Sequence, residues 1–267
     1  EYEGITALLK LSNTLRAGDV QGRVIIVPCM NTPAVMAGKR TSGLDGGNLN
    51  RSFPGDPDGS VTEKIADYFT RVMVPMCDVV LDLHSGGRTL DIIPFGASHV
   101  LDDPEQQRQA LAGAKAFGAP YAMMMFELDA AALFDTAVES QGKVFIATEL
   151  GGGGTSTPES LALTERGVRN VLVQFGLVEG EVEMPAEPQV YLDMPDASCY
   201  VQSEHSGVLE LCFALGEPIE KGEVVARIFD PTRSGATPVE YRAQRSGALV
   251  NMGDTIAVIA DIVDSLG

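Results

Sequence analysis

The sequence predicts an α/β protein with a small all-β domain at its C-terminal end. Up to about residue 180, short apolar runs alternate with helical patterns, and this alternation is typical of α/β architecture. After residue 183, short strand-like runs are interrupted by Gly and Pro, and no long helical period appears. We therefore divide the 267 residues into a domain over 1–183 and an all-β domain over 184–267.

Three apolar runs rich in β-branched residues are predicted to be strands of the first domain: 22–28, 78–83 and 143–148. Each run is apolar on both faces, which indicates strands buried inside a parallel or mixed sheet.

Three helices of this domain have visible start signals. Ser60 and Glu63 have the spacing of a capping box. Asp-Pro at 103–104 and Thr-Pro at 157–158 are typical of a cap followed by the first helical residue. The predicted inward face of the first helix consists of Val61, Ile65, Tyr68, Phe69 and Val72.

The all-β domain is predicted from four short runs, at 207–213, 223–228, 240–243 and 255–260. Residues 207–228 resemble the hairpin of biotinyl and lipoyl carrier domains, which attach their cofactor to a lysine on an exposed tight turn. Here Lys221 lies in a Glu-rich connection instead. We therefore predict a barrel-sandwich-like scaffold without a carrier function.

The net charge of −18 makes nucleic acids and anionic membranes poor partners, because such a surface repels phosphate groups. No apolar stretch approaches the roughly 20 residues of a membrane helix, and no signal peptide opens the sequence. The four cysteines are scattered, which favours reduced thiols and a cytoplasmic protein. A homo-oligomer is compatible with the sequence.

Two ionisable residues end predicted strands. His84 follows the run at 78–83 and Glu149 follows the run at 143–148, and glycines come directly after both. Ligands gather at the carboxyl ends of strands in open α/β sheets, so we expect the two side chains on one rim. The glycines would let a substrate approach the backbone. The alternative is a structural histidine and an unrelated glutamate.

A loop at 46–55 contains Arg51 within a Gly/Asn/Pro frame. A guanidinium held in this way can bind a carboxylate through two parallel hydrogen bonds. The alternative is an arginine that pins a surface loop. Arg40 is a weaker candidate of the same kind.

Three motifs in this order, NLNRSFPG at 48–55, DLHSGG at 82–87 and TELGGGG at 148–154, resemble the succinylglutamate desuccinylase/aspartoacylase family. The resemblance implies zinc-dependent amidohydrolase activity and a carboxypeptidase-like fold. That fold has a mixed sheet flanked by helices and a small C-terminal β domain. The glycine run is most similar to the branch that deacetylates N-acetyl-2,4-diaminobutyrate in ectoine breakdown.

The resemblance also implies a Zn²⁺ site. Family members bind zinc through a His-x-x-Glu pair and a later histidine, and His84 matches the later one. Glu1 falls where the ligand glutamate belongs, so the partner histidine is expected just before the first residue given. His99 and His205 match no ligand position, and we interpret them as structural or surface residues.

The resemblance assigns the remaining roles as well. Glu149 matches the general base, and Arg51 with Asn50 beside it matches the group that binds the substrate carboxylate. Arg40 matches a group that polarises the acyl oxygen. Asp82 shares the strand face of His84, so it either supports the metal site or is structural.

The predicted function is therefore hydrolysis of a small N-acyl amino acid, with N-acetyl-2,4-diaminobutyrate as the leading substrate. Glu127 and Asp129 are candidates for binding the ammonium group of that substrate. Three alternatives stay open: a deacylase of another N-acyl amino acid, of the aspartoacylase or succinylglutamate desuccinylase type; a metallocarboxypeptidase that cleaves short peptides; and a binding module that kept the fold without catalysis.

Overall fold

The computed structural model describes residues 2–126, 131–253 and 256–266. Within these ranges no helix is both long and apolar enough to cross a membrane. The helices are α1 (Tyr2–Thr14), α2 (Thr32–Ala37), α3 (Val61–Tyr68), α4 (Pro104–Ala116), α5 (Phe134–Glu139) and α6 (Pro158–Gln174).

The first six strands are β1 (Val79–His84), β2 (Leu90–Ile92), β3 (Phe95–His99), β4 (Tyr121–Met125), β5 (Val144–Glu149) and β6 (Val190–Met194). The later strands are β7 (Tyr200–Val201), β8 (Val208–Leu211), β9 (Pro218–Ile219), β10 (Val224–Phe229), β11 (Val239–Arg242), β12 (Gly247–Gly253) and β13 (Ala257–Val263).

Most strands belong to one mixed sheet with the order β1-β5-β3-β4-β6-β13-β12-β2. β1 and β5 run parallel, whereas β3 runs antiparallel to β5 and parallel to β4. A separate antiparallel sheet has the order β11-β10-β8. The predicted α/β class, with a mixed sheet flanked by helices and a small β unit near the C-terminus, is confirmed.

The predicted division at residue 183 remains a prediction. β6 pairs with β4, and β13 pairs with β6, so strands from the C-terminal part extend the sheet that the N-terminal part begins. β12 likewise pairs with β2. The C-terminal part therefore contributes both to the main sheet and to the small antiparallel sheet.

The predicted helix starts are confirmed by their hydrogen bonds. The Glu63 N–H donates to Ser60 Oγ, and the Ser60 N–H donates to the Glu63 carboxylate, as in a capping box. Asp103 and Thr157 accept hydrogen bonds at the starts of α4 and α6.

The inward face predicted for α3 and the turn after it is wrong in part: Ile65 and Phe69 pack against a buried core cluster as predicted, whereas Val61, Tyr68 and Val72 are exposed. Val61 is 42% exposed and Tyr68 is 53% exposed, whereas Thr62 and Ala66 are fully buried. Thr62 packs against the backbone of Gly47 and binds Asp45, so this loop attracts the polar side of the helix. The periodicity of apolar residues cannot predict that a helix packs against a polar loop.

The strand predicted at 22–28 is also wrong. In the described part of the chain this apolar segment forms no strand and pairs with none. A strand needs a neighbour that accepts and donates backbone hydrogen bonds, and apolarity alone does not supply one. β1 lies at one end of the main sheet, with β5 as its described neighbour.

Candidate active site

His84 and Glu149 lie side by side at the carboxyl ends of β1 and β5. The two parallel strands are in register from Val79 opposite Val144 to His84 opposite Glu149. Neighbouring strands are about 4.8 Å apart, so the two backbones are adjacent. The structure therefore brings together the two residues that the sequence placed on one rim.

Asp82 binds the imidazole of His84. Its Oδ2 lies 2.8 Å from His84 Nε2, because the two residues are two positions apart on β1 and share a face. Metal-binding histidines commonly donate one ring N–H to a carboxylate, which fixes the ring and its tautomer. This contact makes Nδ1 the ring nitrogen suited to a metal ion.

The residues that the structure describes include one of the predicted zinc ligands, His84. His84 with its carboxylate partner has the chemistry of a metal ligand, but no group of three or more His, Cys, Asp or Glu residues within the described ranges could hold a metal ion. Glu1, the second predicted ligand, lies outside the described residues. The start of α1 packs close to this site, since a Cβ added at Gly4 would lie 2.8 Å from Leu83 Cβ.

The glycines after His84 and Glu149 bring two loops together. The Gly86 N–H donates to the Gly151 carbonyl at 2.9 Å, and the Gly154 N–H donates to the Gly87 carbonyl at 2.6 Å. A Cβ at Gly152 would collide with the Leu90 carbonyl oxygen. Substrate access through these glycines stays a prediction. The structure shows that they permit close packing of the two loops that follow His84 and Glu149.

The loop that carries Arg51 is anchored on both sides of it. Asn50 Oδ1 accepts a hydrogen bond from the Phe134 N–H at 2.8 Å, and the ring of buried Phe53 lies 4.9 Å from that of Phe134. Arg51 itself is exposed, and its Nη1 donates to the Asn50 carbonyl at 2.5 Å. Asn50 and Phe53 therefore fix the position of the loop, whereas the side chain of Arg51 remains exposed on it.

The loop that carries Arg40 is held by Asp45. The Asp45 carboxylate accepts hydrogen bonds from the Gly47 N–H and from the N–H and hydroxyl of Thr62. These bonds, that from Gly47 first, hold the pKa of Asp45 well below its usual range. Arg40 is exposed five residues before this anchor.

One cavity of about 1880 Å³ joins these parts. All the predicted site residues that the structure describes line it: Arg40, Asn50, Arg51, Asp82, His84 and Glu149. The cavity is also lined by Arg88, which the sequence reasoning missed. Its position four residues after His84 was the available signal.

The other two histidines are not paired with the strand ends that carry His84 and Glu149, although His99 also lines the cavity. His99 is buried, and its Nδ1 lies 3.0 Å from Glu139 Oε1. Because β3 runs antiparallel to β5, Phe95 rather than His99 is paired with Glu149. His205 is exposed and bonds to the Tyr241 hydroxyl at 2.6 Å. Both agree with structural or surface roles, whereas Glu127 and Asp129 lie outside the described residues.

A mixed sheet with a histidine–carboxylate pair and a glutamate at adjacent strand ends is an arrangement suited to a hydrolase. The chain belongs to the succinylglutamate desuccinylase/aspartoacylase family, because residues 1–175 match the Succinylglutamate desuccinylase/Aspartoacylase catalytic domain.

Three individual relatives show which members of the family this chain is similar to. The N-alpha-acetyl-L-2,4-diaminobutyric acid deacetylase of Halomonas elongata is 78% identical over 275 aligned positions, which cover 100% of this chain and 80% of that protein. The product-bound structure of the ectoine utilization protein EutE (DoeB) from Ruegeria pomeroyi is 50% identical with a TM-score of 0.93, covering 98% of this chain and 81% of that one. A succinylglutamate desuccinylase/aspartoacylase structure from Rhodobacter sphaeroides is 32% identical with a TM-score of 0.92, covering 99% and 83%.

Proposed function

We propose that this protein hydrolyses the amide bond of a small N-acyl amino acid and that its substrate is N-acetyl-2,4-diaminobutyrate. The observation that carries the proposal is the pairing of His84 with Glu149 at the strand ends, in a cavity that also contains Arg51. The 78% identity to a diaminobutyric acid deacetylase supports the choice of substrate.

Zinc is part of the proposal. His84 and Glu1 would hold the ion together with the third ligand that the family resemblance predicts. The contact between Asp82 and His84 supports the role of His84 as a ligand. When bound, zinc polarises the scissile carbonyl and lowers the pKa of a bound water to about 7.

Glu149 acts as the general base in this proposal. Its carboxylate accepts a proton from the attacking water and returns it to the nitrogen of the leaving amine. The water oxygen forms a bond to the acyl carbon, and the C–N bond breaks. Its place beside His84, at the end of a strand buried in the sheet, supports this role.

Two arginines orient the substrate. Arg51 binds its α-carboxylate, because the exposed guanidinium is presented between two loop anchors. Asn50 contributes by keeping the loop in place. Arg40 polarises the acyl oxygen from the neighbouring loop, which Asp45 holds against α3.

A cytoplasmic location belongs to the same proposal. The four cysteines Cys29, Cys77, Cys199 and Cys212 are free, as expected in a reducing compartment.

Product release from a substrate panel tests the function. The purified protein, supplied with Zn²⁺, is incubated with N-acetyl-2,4-diaminobutyrate, N-acetylaspartate, N-succinylglutamate and a set of dipeptides, and the free amine is quantified. We expect the highest kcat/KM for N-acetyl-2,4-diaminobutyrate. Faster cleavage of dipeptides would identify a carboxypeptidase instead, and no cleavage of any compound by the zinc-loaded protein would favour a binding module.

A further inference from the structure

Five cations line the cavity without forming an ion pair to a described carboxylate. Within the described ranges, the Lys and Arg residues that form ion pairs with carboxylates all lie outside the cavity: Lys10, Arg71, Arg108, Arg227, Arg242 and Arg245. Those that line the cavity form none with a described carboxylate: Arg23, Lys39, Arg40, Arg51 and Arg88. Cations without a described ion-pair partner, such as Arg233, also occur outside the cavity, so the relevant observation is that five of them share one cavity, where they are available to bind an anion.

Arg88 occupies a distinct position among these cations. It lies on the loop that follows His84, and that loop is bonded to the loop that follows Glu149. Its aliphatic stem packs on this second loop, because a Cβ added at Gly154 would lie 3.2 Å from Arg88 Cγ. Arg51 comes from a different element, the loop anchored to Phe134. Two arginines therefore reach the cavity from two separate parts of the fold.

Hydrolysis of an N-acyl amino acid presents two different anionic groups to the cavity in sequence. The substrate enters with its α-carboxylate, which the proposed function assigns to Arg51. The reaction then adds the water oxygen to the acyl carbon and breaks the C–N bond. The acyl half leaves as a carboxylate anion and the amine leaves protonated, so one new anion appears next to the His84 and Glu149 loops.

We propose that Arg88 binds the carboxylate of the acyl product, acetate for an N-acetyl substrate. This inference rests on the proposed function for the identity of the anion. A guanidinium is suited to this task because it donates two parallel hydrogen bonds to a carboxylate. Arg88 thus separates the two halves of the product: Arg51 holds the amino acid and Arg88 holds the released acid.

Acetate is the probe that tests Arg88. Arg88→Met retains an unbranched stem over Gly154 and removes the charge, whereas Arg88→Lys retains the charge. Arg233→Met is the matched control, because Arg233 is also exposed and forms no ion pair with a described residue but lies outside the cavity. Binding of ¹³C-acetate is measured by NMR titration, and inhibition by acetate and by 2,4-diaminobutyrate is measured during turnover.

We expect Arg88→Met to weaken acetate binding and acetate inhibition by roughly 10–100-fold, the loss typical of a charge-assisted hydrogen bond. Inhibition by 2,4-diaminobutyrate should change less than twofold. Arg51→Ala should show the reverse pattern, and Arg233→Met should match the parent protein. Arg88→Lys should recover part of the acetate affinity.

Two results overturn the inference: unchanged acetate binding in Arg88→Met, or an equal loss for acetate and 2,4-diaminobutyrate. The second would mean that Arg88 contributes only to the general field of the cavity. The NMR titration needs no turnover, so a parent protein that cleaves no N-acyl amino acid refutes the proposed function separately, while the comparison of acetate affinities still decides the role of Arg88.

Discussion

His84 depends on a neighbour within its own strand. Asp82 is two residues away, on the same face of β1, and its carboxylate lies 2.8 Å from the imidazole. A carboxylate in this position orients the ring and raises its basicity as a metal ligand. The sequence DLH therefore places an orienting group and its histidine together without help from the rest of the fold.

Substituting Asp82 tests this dependence. Asp82→Asn keeps the size of the side chain but replaces the anionic acceptor with a neutral amide. We expect zinc affinity, measured by competition with a chromophoric chelator, to fall by roughly 10–100-fold. Asp102→Asn removes an exposed carboxylate elsewhere and should have no effect. Equal zinc affinity in Asp82→Asn and the parent protein would show that Asp82 has only a structural role.

At the residue scale, motif and strand position predicted His84, Glu149, Arg51 and Arg40 as residues of one site, and they line one cavity. The same reasoning missed Arg88. Arg88 is identified by its location in the cavity, against the loop that follows Glu149. Contacts between such distant chain segments are visible only in three dimensions.

At the scale of elements, the reactive residues are carried by two glycine-rich loops that pack on each other. Gly152 lies so close to the Leu90 carbonyl that no side chain fits between them. Gly86 likewise lies against Leu90 and donates its N–H to Gly151. The glycine runs therefore permit the close packing of the loops that follow β1 and β5.

A methyl group at Gly152 tests this packing. Gly152→Ala should lower the free energy of unfolding by about 1–3 kcal/mol, because the added Cβ forces backbone to move. Activity should fall with it, since the loops beside His84 and Glu149 shift. Gly18→Ala is the matched control: a Cβ there meets no atom within 4 Å, and the change should be neutral or stabilising by about 0.4–1 kcal/mol. Urea unfolding measures both, and equal stability of the two variants would disprove the packing role.

Sequence motifs predicted the starts of helices well, because helix capping depends only on residues close together in the sequence. The caps at Ser60, Asp103 and Thr157 depend on hydrogen bonds between residues two or three positions apart, and all three helices begin as expected. The strand predicted at 22–28 was wrong because strand formation depends on a partner that is distant in the sequence. The prediction for the buried face of α3 was wrong in part because one packing partner of this helix is the polar loop at Asp45.

At the scale of the whole molecule, charge is distributed unevenly. The chain has a net charge of −18, yet the cations of the cavity form no ion pairs with described carboxylates. Net charge argues against polyanionic partners, which stays a prediction, and gives no information about the local sign of the charge in the cavity. Placing positive charge inside an acidic protein favours small anions over large ones, because a small anion can enter the cavity and leave the acidic surface behind.

The fold joins two chain segments 65 residues apart into one reactive centre, and this is the central claim. Replacing Glu149 with Gln tests it most directly, with Glu159→Gln, an exposed acid in the first turn of α6, as the control. Zinc content and the kcat for N-acetyl-2,4-diaminobutyrate are measured for both variants. We predict that Glu149→Gln retains its zinc and loses at least about 100-fold in kcat, because the general base is gone. A kcat for Glu149→Gln within about twofold of the parent protein would contradict the account.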